Sequence, residues 1–193
     1  MNEPACLSNR IDLPGVMPSI IEKGMMKKWF GLLGLLAFTA SIATAQVTYE
    51  RIRGAAQEPQ NWLTYSGSYA GWRYSTLDQI SASNASALSL QWAFQVGDLG
   101  QFETTPLAVD GVLYGTGQNN RAFAIDARTG RAIWRYQRNL PDKLQPCCGM
   151  VNRGFAILGN KLFLATLDAH VLALDTKTGN VLWDATAAPI VRG

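Results

Sequence analysis

Ala122-Phe-Ala-Ile-Asp126-Ala-Arg-Thr129-Gly130-Arg-Ala-Ile-Trp134 returns in the same chemical pattern as Val171-Leu-Ala-Leu-Asp175-Thr-Lys-Thr178-Gly179-Asn-Val-Leu-Trp183. In each copy a short apolar run reaches an Asp, passes through x-x-Thr-Gly and re-emerges as a second run carrying Trp. That pattern predicts two strands joined by a tight turn. The Asp side chain accepts hydrogen bonds from backbone amides ahead of it, and Gly supplies the positive φ that closes the hairpin. The copies stand 49 residues apart, as from Asp126 to Asp175.

The offset also holds upstream. Pro106-Leu-Ala-Val-Asp110-Gly111-Val-Leu-Tyr-Gly-Thr116 matches Phe155-Ala-Ile-Leu-Gly159-Asn160-Lys-Leu-Phe-Leu-Ala165. Asp-Gly and Gly-Asn between apolar runs predict two further hairpins, so each unit reads as four strands. Leu88-Ser-Leu-Gln-Trp92-Ala-Phe-Gln-Val96 is the remnant of an earlier unit, with Trp92 in the place of Trp134 and Trp183, and residues 186–193 resemble the start of a later one. Four-stranded units repeating every 40–50 residues predict an all-β fold, a β-propeller with about three blades represented. A ring of this kind closes with about four to eight blades, so residues 46–193 are expected to form the N-terminal part of an incomplete propeller domain. The three tryptophans are expected to pack between blades.

Bulk composition agrees with that class. A charged fraction of 16% and a formal charge of +3 are too mild for a nucleic-acid footprint, and 18 glycines suit a turn-rich β protein. Lys and Arg between residues 128 and 143 are expected to form a solvated face, Asp126 and Asp175 to be turn formers, and His170 to be a turn or surface residue.

Residues 25–45 read as a secretory signal peptide. Met26-Lys27-Lys28 is a basic start, Trp29 to Ala40 an apolar stretch, and Ala43-Thr44-Ala45 a small-residue cleavage site, with cleavage before Gln46. The apolar stretch is shorter than the roughly 20 residues of a membrane-spanning helix. Residues 1–24 lie before that basic start and read as an upstream extension or a start assigned too early. Cys6 would then be absent from the secreted protein, leaving the adjacent pair Cys147 and Cys148 in an oxidising compartment.

In a propeller the first strand of each blade lines the central axis, where ligands bind. Glu103 lies eight residues before Gly111 and Val151 eight before Gly159, while Thr105 and Arg153 lie six before the same glycines. With a strand period of two, Glu103 and Thr105 share one face and Val151 and Arg153 another. Counting from the glycines makes the two pairs equivalent on successive blades. A carboxylate and a guanidinium thus converge near the axis, which suits a polar ligand bearing carboxylates that Arg grips bidentately. Cys147 and Cys148 stand just before this strand. As residues alone, the pair is compatible with a strained vicinal disulfide, two free thiols, a metal-ligand pair, or bonds to other partners. No C-x-x-C spacing supports a zinc site.

Asn61-Trp62-Leu-Thr-Tyr65-Ser-Gly, Trp72-Arg73-Tyr74-Ser75, Glu103-Thr104-Thr105-Pro106, Cys147-Cys148-Gly-Met-Val151-Asn152-Arg153-Gly154 and the Asp-x-x-Thr-Gly-x-x-x-Trp turns closely resemble the methanol/ethanol dehydrogenase family of quinoproteins. The resemblance runs from about Glu58 onward. It implies an eight-bladed propeller holding pyrroloquinoline quinone (PQQ) beside calcium or a lanthanide, in a periplasmic enzyme that oxidises alcohols to aldehydes. It also implies a cytochrome c-type electron acceptor and a disulfide between Cys147 and Cys148 lying against one face of the quinone. Glu103 would hydrogen-bond the cofactor edge, Val151 would wall the pocket, and Arg153 would pair with a cofactor carboxylate. The family's Asp base, metal ligands and second stacking Trp belong to later blades, so no catalytic or metal-binding residue is expected in this chain, and the chain alone is expected to be inactive. The competing expectation is a non-enzymatic propeller serving as a binding or scaffold protein of the cell envelope. A sugar-oxidising quinoprotein is a third, disfavoured by the Cys-Cys segment.

Overall fold

A computed structural model describes residues 46–97, 100–142, 144 and 146–189. The expected signal peptide, the upstream extension with Cys6, Lys143 and residues 190–193 lie outside the described residues. Among those described, no helix is long and apolar enough to cross a membrane.

Two four-stranded antiparallel sheets carry the fold. The first contains β1 (Leu107–Val109), β2 (Val112–Thr116), β3 (Arg121–Asp126) and β4 (Ala132–Gln137), paired in chain order. The second contains β5 (Ala156–Leu158), β6 (Lys161–Ala165), β7 (His170–Asp175) and β8 (Val181–Thr186) in the same order. Every strand of the second sheet begins 49 residues after its counterpart, so the predicted repeat is borne out strand by strand.

The turns form for the reasons their residues suggest. Asp126 Oδ1 accepts from the amides of Arg128 and Thr129 at 3.0 and 2.8 Å and from Thr129 Oγ1 at 2.9 Å. Asp175 repeats the arrangement with Lys177 and Thr178. Both carboxyls therefore sit below the ordinary carboxylate range. For Asp126 the leading cause is the Thr129 hydroxyl; for Asp175 burial pushes upward but the Thr178 and Lys177 bonds outweigh it. In the Asp110-Gly111 turn both central residues have positive φ, as a type I′ hairpin requires, whereas in Gly159-Asn160 only the first does, as in type II′.

Each sheet has one irregularity, and it orients the tryptophan. The β3–β4 register shifts between Ala124 and Ile125, which pair with Trp134 and Ala132, so Ile133 is bulged out. Leu182 is bulged in the same way between Val181 and Trp183. A bulge re-aims the following side chain. Trp134 thereby turns inward and is buried, while Ile133 is exposed.

The two sheets share one apolar cluster. Leu107, Val109, Tyr114, Ala124 and Trp134 come from the first, and Phe155, Ile157, Leu162, Leu164, Leu172 and Leu174 from the second. Trp134 spans the boundary: its indole N–H donates to Thr176 O at 2.9 Å, and its ring covers Gly179 so closely that a Cβ there would lie 2.6 Å from it. Trp92 docks on the first sheet in the same manner, donating to Ala127 O at 3.0 Å and covering Gly130. Inter-blade packing by these two residues is therefore borne out. Residues 88–96 around Trp92 form no strand ladder, because no paired neighbour lies on that side among the described residues.

A helix, α1 (Tyr49–Arg53), ties the chain to both sheets at the end carrying the β1–β2 and β5–β6 turns. Val47 pairs with Gly159, and Trp62 pairs with Ala108. Arg51 grips Glu58 and, through two bonds of 3.1 and 2.8 Å, Asp110. The opposite end, where β5 begins, is left for the candidate site.

Candidate functional site

The lead-ins to β1 and β5 run side by side at that end. Thr105 N donates to Arg153 O at 3.1 Å, and Gly154, at φ +122°, makes room: a Cβ there would lie 2.7 Å from Thr105 O. The predicted convergence follows from this contact. Arg153 Nη2 lies 3.0 Å from Glu103 Oε2, with the guanidinium side chain 62% and the carboxylate side chain 36% exposed. The pair is thus close enough to neutralise itself and open enough to meet a ligand.

One detail of the expected geometry is corrected. Glycine is the second residue of the Asp110-Gly111 turn but the first of the Gly159-Asn160 turn, so counting back from glycine misaligns the repeats by one. From the strand register, Thr104 rather than Thr105 is the counterpart of Arg153, and Glu103 the counterpart of Asn152. Glu103 and Arg153 still meet, because contact between the lead-ins, not repeat equivalence, brings them together.

Val151, two residues before Arg153, is buried at 7% exposure. Cys147 and Cys148 occupy the preceding turn, closed by Gly149 N donating to Pro146 O at 3.3 Å. Both are exposed free thiols whose sulfurs lie 3.0 Å apart. Gly149, at φ +84°, faces the side chain of Gln101, two residues before Glu103. The Cys148 thiol is pushed above the ordinary thiol range, chiefly by Cys147, with Glu103 adding to the push and Arg153 opposing it. All five residues picked out from the sequence therefore lie in one neighbourhood.

That neighbourhood suits a ligand carrying a carboxylate. An exposed guanidinium can take a carboxylate in bidentate fashion, Glu103 can accept from a ligand N–H or O–H, and the two exposed sulfurs supply a soft, polarizable surface. The metal has no such cradle: among the described residues no group of three or more His, Cys, Asp or Glu side chains converges.

Two residues that hold this end together, Thr116 and Arg138, were not singled out from the sequence as such, and a third, His170, was expected as a turn or surface residue but is half-buried at the start of a strand. Thr116, fully buried, lies beneath the Glu103 and Arg153 lead-ins and bonds to Thr104 and Asn152. Arg138 leaves β4 and clamps the second sheet, reaching Asp168 at 2.8 and 2.9 Å and Asp184 at 2.8 Å. The solvated-face expectation holds for Arg128, Arg131 and Arg135 but not for Arg138, whose side chain is only 13% exposed. His170 opens β7, half-buried, and its ring Nδ1 is 2.6 Å from Asp184 Oδ1. Neither Arg138 nor Thr116 carried a signal in the sequence: Arg138 is one of several basic residues on that stretch, and threonine is ordinary in strands.

The chain matches the family model described as glucose/ethanol/alcohol dehydrogenase, beta-propeller domain, over residues 62–188. It is 43% identical over 152 residues to the quinoprotein alcohol dehydrogenase PedH of Pseudomonas putida, covering 77% of this chain and 25% of that protein. The 1-butanol dehydrogenase (quinone) of Thauera butanivorans is 41% identical over 165 residues, covering 81% and 26%. Among solved structures, the quinohemoprotein alcohol dehydrogenase from Comamonas testosteroni superposes with a TM-score of 0.70 at 36% identity, covering 73% of this chain and 21% of that one. A europium-containing methanol dehydrogenase does so with a TM-score of 0.68 at 34% identity, covering 72% and 25%. The chain spans about a quarter of the length of the curated relatives it matches.

Proposed function

This chain belongs to the PQQ β-propeller family of glucose, ethanol and alcohol dehydrogenases, and on that footing we propose that it is the cofactor-gripping arc of a periplasmic enzyme that oxidises alcohols to aldehydes. The observation that carries the reading is the exposed Glu103–Arg153 pair beside Cys147 and Cys148, at the open end of adjoining inner strands. When bound, PQQ supplies a quinone able to accept hydride from the alcohol.

The residues of this chain bind and orient. Arg153 fixes a cofactor carboxylate, Glu103 accepts a hydrogen bond from the cofactor edge, and Val151 excludes water from the face below. Cys147 and Cys148, joined in the oxidising periplasm, would form a rigid wall for the bound cofactor. The metal, calcium or a lanthanide, and the base that takes the alcohol proton are assigned to blades beyond this arc, as is the contact with a cytochrome c-type acceptor. The lanthanide option has support in the europium-containing relative. Residues 25–45 direct the protein to the periplasm.

The test is to purify the complete gene product, add PQQ with calcium or a lanthanide, and follow primary-alcohol oxidation with an artificial electron acceptor. Turnover that requires PQQ and collapses in Arg153→Ala supports the reading. PQQ-independent turnover, or none with either metal, overturns it.

A further inference from the structure

Arg153 poses a positioning problem. Its side chain is largely in solvent, so packing cannot hold it, and its placement depends on the backbone from which it springs. That backbone is bracketed across the boundary between the two sheets. Resting on the assignment of Glu103 and Arg153 to the cofactor side, we infer that Thr116 is a positioning residue that fixes the Asn152–Arg153 backbone against Glu103.

Thr116 ends β2 and is completely buried. Its amide donates to Thr104 Oγ1 at 3.0 Å, its hydroxyl lies 3.0 Å from the same oxygen, and that hydroxyl donates to Asn152 O at 3.2 Å. These contacts settle the proton directions. A hydroxyl has one proton; Thr116 spends its own on the Asn152 carbonyl, so the Thr104 hydroxyl must donate to Thr116 Oγ1. A directed relay thus links the residue after Glu103 to the residue before Arg153.

Asn152 is held from its other side as well. Its Nδ2 donates to Ala165 O at 2.8 Å, and its Oδ1 accepts from Gly154 N at 3.1 Å. With Thr105 N donating to Arg153 O, the carbonyls of both Asn152 and Arg153 accept from the neighbouring sheet. Ala165 is the repeat counterpart of Thr116 and has no hydroxyl, so the second sheet lacks the means to make the same stitch onward. The repeat departs from itself where an exposed arginine must be aimed.

The experiment is amide hydrogen exchange on the cofactor-free gene product, paired with PQQ titration. Thr116→Val keeps the shape and deletes the hydroxyl, taking the donor from the Asn152 carbonyl and the acceptor from the Thr104 hydroxyl proton, while Thr104 Oγ1 still accepts from the amide of residue 116. Exchange at the Thr105 amide is expected to rise on the order of tenfold, while amides within β7 stay protected. Thr116→Ser restores the hydroxyl and is expected to return exchange to within about twofold of the original. PQQ affinity is expected to fall on the order of tenfold in the Val variant, with kcat at saturating PQQ unchanged. Thr104→Val, which breaks the relay at its other end, should reproduce the Val effect if Thr116→Val fails to fold. Unchanged Thr105 exchange in the Val variant, or a Ser variant as perturbed as Val, overturns the inference. An unaltered protein that takes up no PQQ overturns the proposed function instead, and the exchange result still decides the role of Thr116.

Discussion

Trp134 and Gly179, from different sheets, occupy one shared space: the indole ring lies where a side chain on residue 179 would begin, 2.6 Å from the ideal Cβ position. Gly179 also has φ +71°, so two separate demands fall on one residue, open space and left-handed backbone. Gly111 has the backbone demand alone, at φ +82° with no atom within 4 Å of its Cβ position.

The pair therefore separates strain from contact. Gly111→Ala is expected to cost about 1 kcal/mol, the price of an alanine at positive φ. Gly179→Ala should cost about 3 kcal/mol, because Trp134 must also move. Urea unfolding of both variants measures the difference; equal losses would mean that the indole contact carries no energy.

Trp134→Phe keeps most of the apolar cover and removes the N–H that bonds Thr176 O. A loss of about 1 kcal/mol is expected, against about 3–5 kcal/mol for Trp134→Ala. Both follow from equilibrium unfolding.

Arg138 makes stability depend on acid. Burial pushes the Asp168 carboxyl up, but hydrogen bonds from Thr166 and Arg138 outweigh it and hold it below the ordinary carboxylate range. Asp184 is lowered by Arg138 first and His170 second. A depressed folded pKa contributes stability that is present above the unfolded value and lost as pH falls through the folded one. Arg138→Gln should therefore cost about 3 kcal/mol at neutral pH, since Asp168 is left buried beside no cation. The gap to the parent protein should narrow as pH drops below the ordinary Asp range, which unfolding measured from pH 7 to pH 3 will show.

The two thiols report on each other. Protein isolated from the periplasm is expected to have an intact mass two hydrogen atoms below the dithiol form; a fully reduced mass would remove the disulfide from the site. After reduction, Cys148 should alkylate with a pH midpoint above the usual thiol value, because Cys147 disfavours its thiolate. Cys147→Ala should move that midpoint down, read by mass spectrometry of the alkylated peptide.

Ligand recognition at Arg153 should depend on fork geometry, not on charge alone. Arg153→Lys is expected to weaken PQQ binding on the order of tenfold, because an ammonium cannot form the bidentate bond. Fluorescence titration checks it, and full affinity in the Lys variant would argue against carboxylate gripping at this position.

The hairpins were legible in the chain as a string because their causes are local. Asp126 bonds amides two and three residues ahead, and Gly130 closes the same turn, so both can be read without knowing the fold. The nearness of the candidate residues was legible for a related reason: Glu103, Val151 and Arg153 stand just before the first strand of each repeat, and the Cys-Cys pair adjoins them. Their alignment was not, because it hinged on which position of a two-residue turn the glycine takes, and that depends on whether the hairpin is type I′ or type II′. Sequence alone therefore determined the repeat, its turns and the end of the sheets where the candidate residues gather. Only the tertiary structure decided that Thr116 reaches Asn152, that Arg138 leaves its solvated neighbours to clamp Asp168, and that Trp134 lies on Gly179. Those contacts join residues some 30 to 45 positions apart, and no periodicity within a strand specifies which distant atom a side chain will meet once two sheets pack.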